Sequence, residues 1–191
     1  MFQALSNLLY RDRDPTRAWV AKPSPLIADV RRCTLCGVAL GGNFSGLSAL
    51  GPSEDARQSS LGAANWRSRG VYCKAEGGQL SDFTLELDRS LGLQPFQGVI
   101  LNDGQPLAIS NQTTPERLQS ALGDPFGQSA ADGETVLFYE YAVGEVQFTF
   151  SRDLGTLESI EFCYEPDLSW PEQLEWYGIE KPFPEEFRRR L

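Results

Sequence analysis

The residues most able to do chemistry are four cysteines and a run of carboxylates. Cys33-Thr34-Leu35-Cys36 spells C-x-x-C, while Cys73 and Cys163 stand alone in or beside strand-like runs. A zinc site needs a second close pair or histidines, and the chain has no histidine. A redox pair needs a thioredoxin-like strand and helix around it, which these flanks do not offer. The expectation is buried apolar thiols and no metal. The missing histidines also remove Ser-His-Asp and Cys-His catalysis and the usual neutral-pH proton shuttle. Glu140, Glu145, Asp153, Glu158 and Glu161 cluster in sequence, and paired carboxylates can do acid–base work. They fall at turns and on the polar side of strand patterns, where solvation accounts for them. A carboxylate-based hydrolase is therefore the minor alternative; the sequence reads as a non-enzyme with no cofactor.

The elements that must position these groups follow from composition and periodicity. The chain has 191 residues, 41% hydrophobic and 11% aromatic, which is enough to build a sizeable core. Its net charge of −9 argues against nucleic-acid binding, which needs a basic face. There is no secretory signal pattern at the N-terminus and no apolar run approaching the ~20 residues of a membrane helix. The expectation is a cytoplasmic protein with no membrane partner.

Phe2, Leu5, Leu8 and Leu9 recur at helical spacing, so residues 2–10 predict a short amphipathic helix ended by Arg11-Asp12-Arg13-Asp14-Pro15. Pro23 and Pro25 predict an extended connection. A strand is predicted over Thr34–Leu40, a helical turn over Leu47–Leu50, and a surface loop with some helix over Ser53–Arg69, anchored by Trp66. Val71–Lys74 and the alternating Phe83–Leu87 are strand-like. Asp103-Gly104 predicts a hairpin between Phe96–Leu101 and Pro106–Ile109.

The clearest stretch is Thr113 to Phe162. Thr114 suits a helix N-cap, Pro115 the first helical position, and Gly123 the C-terminal stop. Val136–Tyr141, Glu145–Phe150 and Leu157–Phe162 then predict three strands joined by tight turns. A fainter copy lies upstream. Gly37-Val38-Ala39-Leu40 recurs as Gly98-Val99-Ile100-Leu101, 61 residues on, and Ser48-Ala49-Leu50-Gly51 recurs as Ser120-Ala121-Leu122-Gly123, 72 residues on. The implied organisation is α+β: an N-terminal helix and extended arm over 1–32, a first repeat over 33–95, a second over 96–165 and a C-terminal helical arm over 166–191. The two helix-plus-antiparallel-meander repeats are expected side by side. Arg188-Arg189-Arg190 at the end suits a helix dipole better than a nucleic-acid patch.

The order Thr-Pro-Glu, Leu-Gly-Asp-Pro, aromatic strand, Gly turn, Val-x-Phe-x-Phe, Leu-Gly-x-Leu-x-Ser-Ile-x-Phe resembles the small α+β domain of the β-lactamase-inhibitor-protein-like group. That group includes an outer-membrane assembly lipoprotein, and tandem copies resemble the inhibitor itself, in which a concave sheet face grips an enzyme. This chain departs from the inhibitor in lacking a secretion signal and paired cysteines within each repeat. Its acidic character and Leu-Gly-x-Leu-x-Ser-Ile ending look like those of immunity proteins that neutralise bacterial toxins.

The resemblance and the charge together imply a protein-binding module, monomeric when free, whose partner is a basic toxin domain captured by electrostatic attraction. An adaptor subunit of a larger assembly is the alternative. The expected contact residues are Tyr139, Tyr141, Gln147 and Thr149 on a wet sheet face, Glu145 beside them, and Trp66 in the long loop. Tyrosine and tryptophan give contact area at little entropy cost.

Overall fold

The computed structural model describes residues 11–89, 92–131 and 133–164. The predicted N-terminal helix over residues 2–10 and the arm over 166–191 lie outside the described residues. The architecture is mixed α+β, mostly strand, in two sheets. The larger is antiparallel and contains β4 (Ala63–Trp66), β5 (Val71–Glu76), β6 (Gln79–Glu86), β9 (Gly127–Ala131), β10 (Glu134–Tyr141), β11 (Gly144–Ser151) and β12 (Leu157–Cys163), ordered β4-β5-β6-β12-β11-β10-β9. The smaller contains β1 (Ile27–Asp29), β2 (Thr34–Leu35), β3 (Val38–Ala39), β7 (Val99–Asn102) and β8 (Gln105–Pro106), ordered β3-β2-β1-β7-β8, with β1 and β7 parallel. Each sheet takes strands from both expected repeats. The join in the large sheet is the antiparallel pair β6–β12, with Phe83 opposite Phe162.

The second half folds largely as its pattern dictates. The helix runs Pro115–Leu122, with the Thr114 hydroxyl accepting the Arg117 N–H at 3.4 Å and the Gly123 N–H donating to the Gln119 carbonyl. Leu118 is its fully buried residue. The three-strand meander is present as β10, β11 and β12. The Asp-Gly turn is also present, with Asp103 and Gly104 at φ 51° and 80°, although β8 covers only two residues.

Elsewhere the structure corrects the expectations. The strand expected over Thr34–Leu40 is two short strands separated by Cys36 and Gly37, both in the left-handed region at φ 49° and 82°. A two-residue turn with both φ positive reverses the chain there. Residues 53–69, expected to be mainly loop, contain the helix Ala56–Ser59 and strand β4. The segment before Thr135, also expected to be loop, contains edge strand β9, so β10 lies second from that edge.

The core lies on one face of the large sheet. Ladder partners share a face and neighbours along a strand alternate. On this side lie Trp66, Val71, Cys73, Phe83, Leu85, Ile160, Phe162, Val146, Phe148 and Leu137, all buried. Ala28, Val30 and Leu35 from the small sheet, Leu47 and Leu50 from the 3-10 turn Phe44–Leu50, and Leu118 complete the same cluster. Phe83 stacks on Phe162 at 4.1 Å, and Trp19 stacks on Trp66 at 6.2 Å. Burying such rings contributes about 1.5–3 kcal/mol each as an upper estimate, before the entropy of ordering them.

Candidate functional site

The opposite face of the large sheet is polar, and it gathers most of the chain's central carboxylates. Following the register from β5 to β10 places Tyr72, Lys74, Asp82, Thr84, Glu86, Ser159, Glu161, Glu145, Gln147, Thr149, Glu134, Phe138 and Glu140 on this one side. Six carboxylates, Asp82, Glu86, Glu134, Glu140, Glu145 and Glu161, share the face with one lysine, Lys74. Strand alternation produces this arrangement, because β6, β11 and β12 read polar at every second residue while their apolar positions enter the core.

Accessibility divides the face into two regions. Glu86 and Glu145 are fully buried, and Gln147 is nearly so. Gln147 Nε2 donates to Glu145 Oε1 at 2.6 Å, and Glu86 Oε1 accepts the Arg89 N–H at 3.1 Å. Lys74 is exposed, and Tyr72, Asp82, Glu140, Thr149 and Glu161 are partly exposed. Burial works to lower the Lys74 ammonium's pKa, but nearby Asp82 and Glu161, with smaller help from Tyr72 and Cys163, leave it raised. Asp82 also lines a small depression of about 250 Å³ with Glu76, Gln79 and Tyr164. The accessible corner thus consists of acidic groups around one exposed cation.

The six contact residues expected from sequence do not lie together. Glu145, Gln147 and Thr149 are on the polar face. Tyr139 pairs with Val146 and Tyr141 with Gly144, so both tyrosines lie on the core side. Tyr139 is 4% exposed; its hydroxyl donates to the Gly123 carbonyl at 3.0 Å, and its ring meets Phe148 edge-on at 5.5 Å. Burial, with a smaller push from Asp124, raises its phenol to about 12. Tyr141 is half-buried; burial and then Tyr139 raise its phenol well above the usual tyrosine value. Trp66 lies in strand β4, 2% exposed, with its indole N–H donating to the Gly51 carbonyl at 3.1 Å. Of the rings placed at the surface by sequence reasoning, Tyr139 and Trp66 are core groups with satisfied polar tips, and Tyr141 packs half-buried against the core. Asp82, Glu86, Glu134, Glu140 and Glu161, the carboxylates completing the polar face, were not among the six. Their strand parity is the signal that locates them.

The carboxylates considered for catalysis also separate. Glu140, Glu145 and Glu161 are on the polar face, whereas Asp153 is exposed in the β11–β12 turn. Glu158 is raised by burial and by Asp88 and Glu134. A cleft of about 590 Å³ is lined by none of these five. Among the described residues no group of three or more His, Cys, Asp or Glu side chains is placed to hold a metal ion. Cys33, Cys73 and Cys163 are buried and Cys36 is half-buried; burial, then Cys36 and Asp82, raise the Cys73 thiol. No helix among the described residues is long and apolar enough to cross a membrane.

No family model matches the chain, and no curated protein matches it. Two solved structures are similar to it. One is a DUF4309 family protein (YjgB) from Bacillus subtilis, at 16% identity and TM-score 0.47, covering 85% of this chain and 97% of that one. The other is an extracellular protein containing an SCP domain from Bacillus anthracis, at 9% identity and TM-score 0.43, covering 88% of this chain and 58% of that one.

Proposed function

We propose that the chain is a cytoplasmic protein-binding module, an immunity protein that neutralises a cognate bacterial toxin by direct contact. The observation that carries this reading is the polar sheet face, on which six carboxylates share a surface with a single lysine. A basic protein is the complementary partner, because opposite potentials steer encounter and fix orientation. Contact begins at Asp82, Glu161, Tyr72 and Lys74, which are at least partly exposed, whereas Glu145 and Gln147 on the same face are buried.

The proposal includes a duplicated chain. In support, β1 residue Ile27 lies beside β7 residue Val99, 72 residues on, which is also the offset relating Ser48-Ala49-Leu50-Gly51 to Ser120-Ala121-Leu122-Gly123. Those tetrapeptides end the 3-10 turn Phe44–Leu50 and the helix Pro115–Leu122. By contrast, the match of Gly37–Leu40 to Gly98–Leu101 joins segments in different places, since Val38 is on edge strand β3 and Val99 is on β7.

The test is expression of the protein encoded beside this chain, with and without it. The reading expects that product to stop growth alone and to be harmless in co-expression, with the two purifying as a complex. A neighbour that is harmless in cells lacking this chain would refute it.

A further inference from the structure

A second site lies away from the acidic face, in the cleft of about 590 Å³ between the small sheet and the 3-10 turn Phe44–Leu50. Its apolar wall includes Pro25, Ile27, Leu50 and Leu101, and its polar groups include Asp29, Arg32 and Arg69. Size and lining match a small-molecule site, which is typically ~300–1,000 Å³ and apolar with a few oriented polar groups.

The charges in the cleft are not equivalent. The Asp29 carboxylate is occupied: Oδ1 accepts the N–H groups of Arg32 and Asp103 at 3.1 and 3.0 Å, and Oδ2 accepts that of Gly104 at 2.7 Å. Arg32 Nε is bonded to Asp103 Oδ1 at 3.0 Å. Arg69 makes no ion pair among the described residues. It is partly buried and ends the 3-10 turn Arg67–Arg69. Gly70 stops that turn in the left-handed conformation, so close to its neighbours that an added Cβ would lie 2.3 Å from the Gln94 carbonyl oxygen. A guanidinium carried on a tightly packed turn therefore borders an apolar cleft in a protein of net charge −9.

We infer that this cleft binds a small amphipathic anion, with the apolar body against Ile27, Leu50 and Leu101 and the carboxylate or sulfonate head on Arg69. A planar guanidinium pairs such heads through two parallel hydrogen bonds.

The experiment uses two fluorescent probes on the full chain: 1-anilinonaphthalene-8-sulfonate, and N-phenyl-1-naphthylamine, which has the same apolar body and no sulfonate. Saturable one-to-one binding of the sulfonate is expected, weakened at least about tenfold in Arg69→Ala. The neutral probe should bind Arg69→Ala as it binds wild type, which also shows that the variant's cleft is intact. Arg57→Ala, an exposed arginine in the helix Ala56–Ser59, makes the same charge change and should leave both affinities unchanged. Ala49→Trp, which fills the cleft wall, should abolish binding of both probes. Unchanged sulfonate affinity in Arg69→Ala, equal weakening by Arg57→Ala, or undiminished binding to Ala49→Trp would each overturn the inference.

Discussion

Asp29 and Gly104 are joined by a hydrogen bond of 2.7 Å, the Gly104 N–H donating to Asp29 Oδ2. The bond ties strand β1 to the β7–β8 turn, 75 residues away in the chain. With the Asp103 and Arg32 N–H groups on the other oxygen, one buried carboxylate organises the turn and the bend after β1. Removing it strands backbone donors in a partly buried place. Asp29→Ala is expected to lower stability by about 2–4 kcal/mol, with Asp29→Asn intermediate because it keeps one acceptor oxygen. Denaturant unfolding checks this, and a loss below ~0.5 kcal/mol would contradict it.

Gly70 offers a backbone test. Its φ of 69° disfavours a side chain, and a Cβ would approach the Gln94 carbonyl and the Phe96 N–H group at 2.3 and 2.5 Å. Gly70→Ala is expected to cost about 2–4 kcal/mol, more than left-handed strain alone at ~1 kcal/mol. Gly77→Ala, also at positive φ but in open space, is expected to cost only about that strain.

The helix Pro115–Leu122 depends partly on its cap. Thr114→Ala removes the acceptor for the Arg117 N–H and is expected to cost about 1 kcal/mol, with Thr114→Ser near wild type. Thermal unfolding of the two variants separates the cap's hydroxyl from its methyl group.

The core placement of Tyr139 predicts a pH dependence. Its phenol is raised to about 12 in the folded chain, whereas an unfolded tyrosine ionises near ~10. The unfolded state therefore loses its proton first. This contribution to stability is fully present below about pH 10 and is lost as pH rises towards the folded value. Absorbance titration at the tyrosinate band should show delayed ionisation in the native chain, and Tyr139→Phe should remove part of that delay. Ionisation of Tyr139 at the ordinary value in the folded protein would contradict its burial.

Part of this architecture was legible in the residues. The capped helix and the meander were, because Thr114-Pro115 and Gly123 mark one and long alternating runs mark the other. Strands β1, β4 and β9 were not. Ile27–Asp29 and Ala63–Trp66 are too short to show a period, and Gly127–Ala131 has no β-branched or aromatic residue. The polar face was half-legible. Glu145, Gln147 and Thr149 are on it, but Tyr139 and Tyr141 are not, because a two-residue turn at Ala142-Val143 pairs odd positions of β10 with even positions of β11. Only the completed ladder brings Asp82 and Glu161, far apart in sequence, to one accessible corner.

The most direct measurement of the proposed binding role is the affinity of the purified adjacent-gene product for wild type and for charge-reversed chains, at low and high salt. Asp82→Lys with Glu161→Lys is expected to weaken binding at least about 100-fold, and wild-type association should slow steeply as salt rises. Asp153→Lys, in the exposed β11–β12 turn, should remain near wild type. Full affinity in the doubly reversed chain, with association insensitive to salt, would contradict the acidic sheet face as the docking surface.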